Sequence, residues 1–257
     1  MRGQIAHGRA SIRAEAGASE RGAGGLPLCR VILTVVIPAF NEQATIAGTI
    51  ARVRGTGLAS EIVVVDDAST DQTPAILSSL KASDLVVLRH ENNRGKGAAL
   101  RTGFQHARGD IVLVQDADAE YDPADYPRLL GPLRDGKADV VFGSRFVGGD
   151  AHRVLFYWHS VGNRVLTLAS NAFTNLNLTD MECGFKVFRK DVLNRVNIEE
   201  ERFGFEPEIV AKVARLDVRI FEVGVSYNGR TYAEGKKITW RDGVAALWCI
   251  FKYNVLK

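Results

Sequence analysis

Five short, almost wholly apolar runs punctuate this chain of 257 residues, and each gives way to a polar or acidic cluster. They read VILTVVIP (31–38), EIVVVDD (61–67), DLVVLR (84–89), DIVLVQD (110–116) and ADVVFGS (138–144). A strand with one wet face alternates apolar and polar residues. A continuous apolar run is buried on both faces, as in a parallel sheet covered by helices. Helical stretches separate the runs. One extends from Asn41 to about Arg54, one is opened by Thr73-Pro74, and one spans Gly97 to Ala107. Another begins at Asp122-Pro123-Ala124-Asp125, where Asp122 and Asp125 flank the proline as a capping box would. The order predicts an α/β fold, a Rossmann-like and mostly parallel sheet with helices on both faces. Residues 150–200 turn helical and aromatic, 218–227 read as a late strand, and 240–252 as an amphipathic helix.

Composition narrows the class. Hydrophobic residues at 46% and charged residues at 25% are those of an ordinary globular protein. A net charge of +3 makes no case for nucleic acid. The three cysteines, Cys29, Cys183 and Cys249, are too scattered for a disulfide framework or a zinc site and fit a reducing cytosol. No apolar run approaches the roughly 18–20 residues a membrane span needs, so a soluble or membrane-peripheral protein is expected. Residues 1–29, rich in Gly, Ala and Arg, read as a disordered tail.

In parallel α/β sheets ligands bind beyond the carboxyl ends of the strands. The unusual polar residues lie there: Pro38-Ala39-Phe40-Asn41-Glu42, Asp66-Asp67, Gly95-Lys96-Gly97, Asp116-Ala117-Asp118-Ala119-Glu120 and Ser144-Arg145. Together they imply one shared pocket. If extended, Asp116-x-Asp118 puts two carboxylates on one side, about 7 Å apart along the chain, where a hard cation such as Mg²⁺ or Mn²⁺ reaches both. A calcium loop would need Gly and Glu where Tyr121 and Pro127 stand. Gly95-Lys96-Gly97 precedes a helix whose open N-terminus suits phosphate, but Leu100 breaks the dinucleotide fingerprint. Asp66 and Asp67 suit a base or ribose, with one of the pair structural.

These motifs together resemble a family 2 glycosyltransferase of the GT-A fold over residues 31–146: VVIPAFNE, VVVDDASTDQT, NRGKGAALRTGF, DADAEYDP and GSRF. DMECGFKVFRKDV and GRTYAEGKK extend a narrower resemblance, to the dolichyl-phosphate mannose synthase and polyprenyl-phosphate glycosyltransferase branch, to about residue 237. The resemblance implies a GT-A domain over 30–237, with a nucleotide-sugar half to about 146 and an acceptor half beyond it. Residues 238–257 would then form a C-terminal amphipathic helix.

The resemblance also implies site roles. Pro38, Phe40, Glu42, Asp66 and Asp67 would line the nucleoside pocket, with Lys96 and Ala117 beside the donor. Asp116, Asp118 and Glu120 would hold Mg²⁺ or Mn²⁺ on the diphosphate, and Arg230 and Lys236 would close over it. Asp116, Asp118, Arg145 and Arg230 would be the catalytic set. Arg145, Arg153, Ser160 and Lys186 would face the acceptor phosphate; His159 and Asn163 stand where the synthases carry Arg and Ser. Glu120 replaces a frequent Gln. The implied reaction is inverting transfer from a GDP- or UDP-sugar to a polyprenyl phosphate at the inner membrane face. A homo-oligomer or a membrane partner subunit would be compatible. Asp180, Glu182 and Glu206 keep open a hydroxyl acceptor, which would need a carboxylate base; Asp180 also suits a structural role on backbone amides. A non-catalytic nucleotide-sugar-binding module is the remaining alternative.

Overall fold

Strand propensity and burial on both faces make the apolar runs strands. The computed structural model describes residues 32–148, 153–154, 156–231 and 240–257. The tail at 1–29 and the basic loop with Lys236 lie outside these residues. The strands are β1 (Leu33–Ala39), β2 (Glu61–Asp66), β3 (Leu85–Arg89), β4 (Ile111–Val114), β5 (Val140–Ser144), β6 (Lys186–Arg189) and β7 (Ile220–Gly224). Between and after them run α1 (Ile46–Gly55), α2 (Thr73–Ser79), α3 (Lys96–His106), α4 (Tyr126–Arg134), α5 (Tyr157–Thr174), α6 (Lys190–Leu193), α7 (Phe205–Ala214) and α8 (Trp240–Phe251).

The strands form one sheet in the order β3-β2-β1-β4-β6-β5-β7. All pairings are parallel except those of β6, which runs antiparallel between β4 and β5. Sequence reading placed no strand at β6, four residues between helical stretches. Successive strand residues divide between two cores. Val35 and Ile37 of β1, Ile62 and Val64 of β2, and Leu113 of β4 pack with α1 and α4. Val36, Val63, Val65 and Val112 pack on the other face with α3 and α7. From β1 the chain builds outward to β2 and β3 on one side, then returns to β4 on the other. That reversal opens a crevice at the carboxyl ends of β1 and β4.

Two junctions differ from the sequence expectation. The N-terminus of α3 is not open. The backbone carbonyl of Glu201 accepts the Ala98 N–H, and a Cβ on Gly97 would lie 2.3 Å from the Glu200 carbonyl oxygen. Glycine is what lets the segment at residues 200–202 cross the helix start. Asp122 does cap, accepting from Ala124 N at 3.0 Å, but Asp125 instead accepts from Ser226 N and Oγ, tying α4 to the segment after β7.

Gly97→Ala is expected to lower stability by about 1–3 kcal/mol, because rigid backbone leaves the new methyl nowhere to go. Urea denaturation checks this, and an unchanged midpoint contradicts the crossing.

Candidate active site

The crevice widens into a cavity of about 770 Å³. The loops after β1, β2 and β4 line its floor with Pro38, Phe40, Glu42, Asp67, Asp116, Ala117 and Asp118. Helices α5 and α8 line its mouth with Trp158, Ser160 and Ala246.

The acidic stretch after β4 is a turn rather than an extended segment. Ala119 adopts φ 64°, a left-handed conformation that costs a non-glycine residue energy and is typical of functional loops. Asp118 Oδ1 accepts from Glu120 N at 3.2 Å inside this turn. The carboxylates are shared among cations. Lys96 Nζ lies 2.8 Å from Asp116 Oδ1 and 2.8 Å from Glu206 Oε1. Arg230 meets Asp118 at 3.1 Å, Glu120 at 3.3 Å and Glu42 at 3.4 Å.

Protonation follows from this crowding. Burial, then the charges of Asp116 and Glu120, push Asp118 up to about 7 against the pull of Arg230. Burial works against the charged form of Lys96, but Asp116 and Glu206 outweigh it and hold its pKa above the usual value. Arg230 is likewise raised: its burial is outweighed by Asp118, Glu42 and Glu120. Burial, then the charge of Glu206, raises Glu182 to about 8.

No three metal-ligating side chains converge among the described residues. Glu120 is committed to Tyr227 Oη at 2.7 Å and Arg230 N at 2.8 Å, so it latches the segment after β7 rather than joining Asp116 and Asp118. Two carboxylates at a cavity wall still suit Mg²⁺ or Mn²⁺, which takes one or two protein carboxylates and fills its shell from substrate phosphate and water.

Other expected residues sort by position. Asp67 lines the cavity, but its carboxylate accepts Arg94 N and Gly95 N and lies 2.7 Å from His90 Nδ1, so it shapes the turn before α3. Asp66 is buried, accepts Ser69 N and faces Arg89, away from the cavity lining. Lys186 is buried at β6 with its ammonium on the Met181 and Cys183 carbonyls, and it is not among the lining residues. Arg153 donates to the Gly229 carbonyl at 2.8 Å. Ser160 does line the mouth. Arg145 lines the cavity and is clamped by Asp180, with Nε and Nη2 each 2.7 Å from a carboxylate oxygen. Asp180 also accepts Arg145 N, and the guanidinium lies over the Tyr227 ring. Lys96, expected beside the donor, lines the cavity with its ammonium between two acids. Its link to Glu206 joins residues 110 positions apart, which no local pattern announces.

Residues 34–196 match the domain described as Glycosyl transferase family 2. The chain belongs to that family. It is 33% identical over 217 residues to an undecaprenyl-phosphate mannosyltransferase of Micrococcus luteus, covering 80% of this chain and 86% of that protein. It is 30% identical over 213 residues to a dolichol-phosphate mannosyltransferase of Pyrococcus furiosus, covering 80% of this chain but 60% of that protein. The second of these relatives is therefore much longer than the region it shares with this chain. The fold is also that of glucosyl-3-phosphoglycerate synthase from Mycobacterium tuberculosis, solved with Mn²⁺, UDP and glucosyl-3-phosphoglycerate. There the TM-score is 0.68 at 22% identity, over 87% of this chain and 80% of that one. The protein is thus a glycosyltransferase of the GT-A fold.

Asp180→Asn strips the counter-charge from the clamped Arg145. Breaking a buried pair in this way is expected to cost about 3 kcal/mol of stability. Chemical denaturation measures the loss, and a wild-type midpoint refutes the clamp.

Proposed function

We propose that this family 2 glycosyltransferase moves a sugar from a nucleoside diphosphate to a polyprenyl phosphate, with inversion and with a divalent cation on the donor diphosphate. One observation carries the reading. A single cavity has paired carboxylates and Arg230 at its floor, and the clamped Arg145 with exposed aromatic side chains toward its mouth.

Pro38, Phe40, Glu42 and Asp67 would border the nucleoside. Asp116 and Asp118 would hold Mg²⁺ or Mn²⁺. Bound there, the ion would offset charge on the departing diphosphate. Arg230 is already within reach of these carboxylates and would add a fixed positive charge beside the same leaving group. Lys236, outside the described residues, would extend that charge. Arg145 would face the acceptor phosphate. Its Asp180 clamp fixes the guanidinium before substrate arrives, so little reorganisation accompanies binding. A polyprenyl phosphate is already ionised near neutral pH and needs no strong base. A hydroxyl acceptor would, and that keeps transfer to a glycan or small molecule as the second reading, on Glu182 and Glu206 beside the cavity.

A lipid acceptor also needs a membrane surface. No helix among the described residues is long and apolar enough to span one. The α5 and α8 helices pack together and leave Trp158 77%, Leu168 71% and Trp248 56% exposed, with Phe156, Leu247 and Phe251 also exposed. Of these, Trp158 also lines the cavity, which supports peripheral contact with the membrane that holds the acceptor.

Incubation with UDP- and GDP-sugars, polyprenyl phosphate and Mg²⁺ or Mn²⁺ is expected to place sugar in the lipid fraction. EDTA or Asp118→Ala is expected to lower that transfer at least a hundredfold, on the order of what lost transition-state charge stabilisation costs. Transfer to a soluble hydroxyl acceptor alone, with the lipid fraction empty, overturns the lipid reading; full activity in EDTA overturns the metal. Replacing Trp248 and Phe251 by serine should weaken flotation with anionic vesicles several-fold and leave thermal stability near wild type. Equal flotation removes the membrane face.

A further inference from the structure

We infer that Tyr227 is a positioning residue for both substrates: its hydroxyl steadies the turn beside the donor diphosphate, and its ring steadies the arginine that faces the acceptor. The inference rests on the donor and acceptor reading above. Tyr227 follows β7 and lines the cavity while only 7% exposed. Its hydroxyl donates to Glu120 Oε2 at 2.7 Å. Glu120 Oε1 in turn accepts Arg230 N at 2.8 Å and Nε at 3.3 Å. Burial, then that same hydrogen bond, raises the Tyr227 phenol above its usual value, so the hydroxyl keeps its proton and remains the donor. The Arg145 guanidinium lies over the ring, 5.2 Å from its centre, within the reach of cation–π attraction.

Backbone contacts fix the residue from both sides. Val225 N donates to the carbonyl of Ser144, which precedes Arg145, and Asn228 N donates to the Glu120 carbonyl. Tyr121 pairs with Tyr227 through an isolated antiparallel bridge, their ring centres 5.1 Å apart. A side chain anchored this way cannot follow one neighbour without leaving the other. The two neighbours use different parts of it. Asp180 grips the edge of the Arg145 guanidinium, and the Tyr227 ring covers a face, so edge and face together leave the fork one orientation. Among the described residues, Glu120 Oε2 has only the Tyr227 hydroxyl as its hydrogen-bond partner. Without it that oxygen turns toward water and takes with it the carboxylate on which Arg230 rests.

The test measures transfer to polyprenyl phosphate, varying the sugar nucleotide and the lipid in turn. Tyr227→Phe removes the hydroxyl and keeps the packing. Its KM for the sugar nucleotide is expected to rise roughly tenfold, from one lost hydrogen bond to a charged group, with the KM for the lipid as in wild type. Pentafluorophenylalanine placed at the same position keeps the shape of that variant but strips the negative charge from the ring face. Relative to Tyr227→Phe, it is expected to raise the KM for the lipid several-fold. Glu120→Ala combined with Tyr227→Phe is expected to bind the sugar nucleotide no more weakly than Glu120→Ala alone, because both cut the same bond. A sugar-nucleotide KM unchanged by Tyr227→Phe, a lipid KM indifferent to fluorination, or additive losses in the double variant overturns the inference and leaves the reading of the two substrates intact. Wild type that moves no sugar to polyprenyl phosphate overturns that reading itself.

Discussion

Four carboxylates meet where β1 and β4 end, and two cationic side chains from remote parts of the chain keep them together. Glu42, Asp118 and Glu120 share Arg230, and Asp116 shares Lys96 with Glu206. Without those cations the acids would repel in a site with little water. The shape of the cavity depends on the arrangement. Glu120 accepts from Arg230 N and Tyr227 Oη, its carbonyl accepts from Asn228 N, and Tyr121 bridges to Tyr227. The segment after β7 is thereby drawn across the ends of β1 and β4. Charge compensation and cavity closure are one set of contacts.

The strands were legible because burial on both faces leaves a simple signature. Leu33 to Ala39 and Ile111 to Val114 cannot alternate with polar residues when one face meets α1 and α4 and the other meets α3 and α7. The strand β6 was not legible. Its four residues carry Lys186 and Arg189, and it pairs antiparallel only because the chain returns between β4 and β5 after a long helical excursion. That orientation belongs to tertiary packing, not to local pattern. Helix ends were half legible. Asp122 caps, as its place before Pro123 implies, while Asp125 serves a partner 101 residues away.

The site divides in the same manner. Asp116, Asp118, Arg145 and Arg230 lie at the ends of strands or just beyond, and their gathering follows from the topology alone. What each touches did not follow. Lys96 between two glycines gives no sign that Asp116 and Glu206 both stand against its ammonium. Asp67 reads as a nucleoside neighbour, and no local pattern shows that the Arg94 and Gly95 amides also converge on its carboxylate. Spacing in the sequence gave Asp116 and Asp118 a common side only if the segment was extended, and the turn at Ala117 and Asp118 removes that condition.

The two arginines of the cavity are held differently, and the difference bears on the chemistry. Arg145 has one buried acid, Asp180, gripping it through two parallel contacts of 2.7 Å. A planar fork fixed on one carboxylate presents its outer edge in a constant direction, which suits a ligand that must be aligned for attack. Arg230 spreads over three acids at 3.1 to 3.4 Å, with no single dominant partner. Contacts divided among three acids leave the guanidinium without the single bidentate partner that Arg145 has. In the proposed transfer Asp116 and Asp118 would hold the divalent cation, whose charge would add to that of Arg230 beside the leaving group. In the transfer proposed above, Arg145 would align the acceptor phosphate and Arg230 would attend the leaving diphosphate, a division of labour that asks for no strong base.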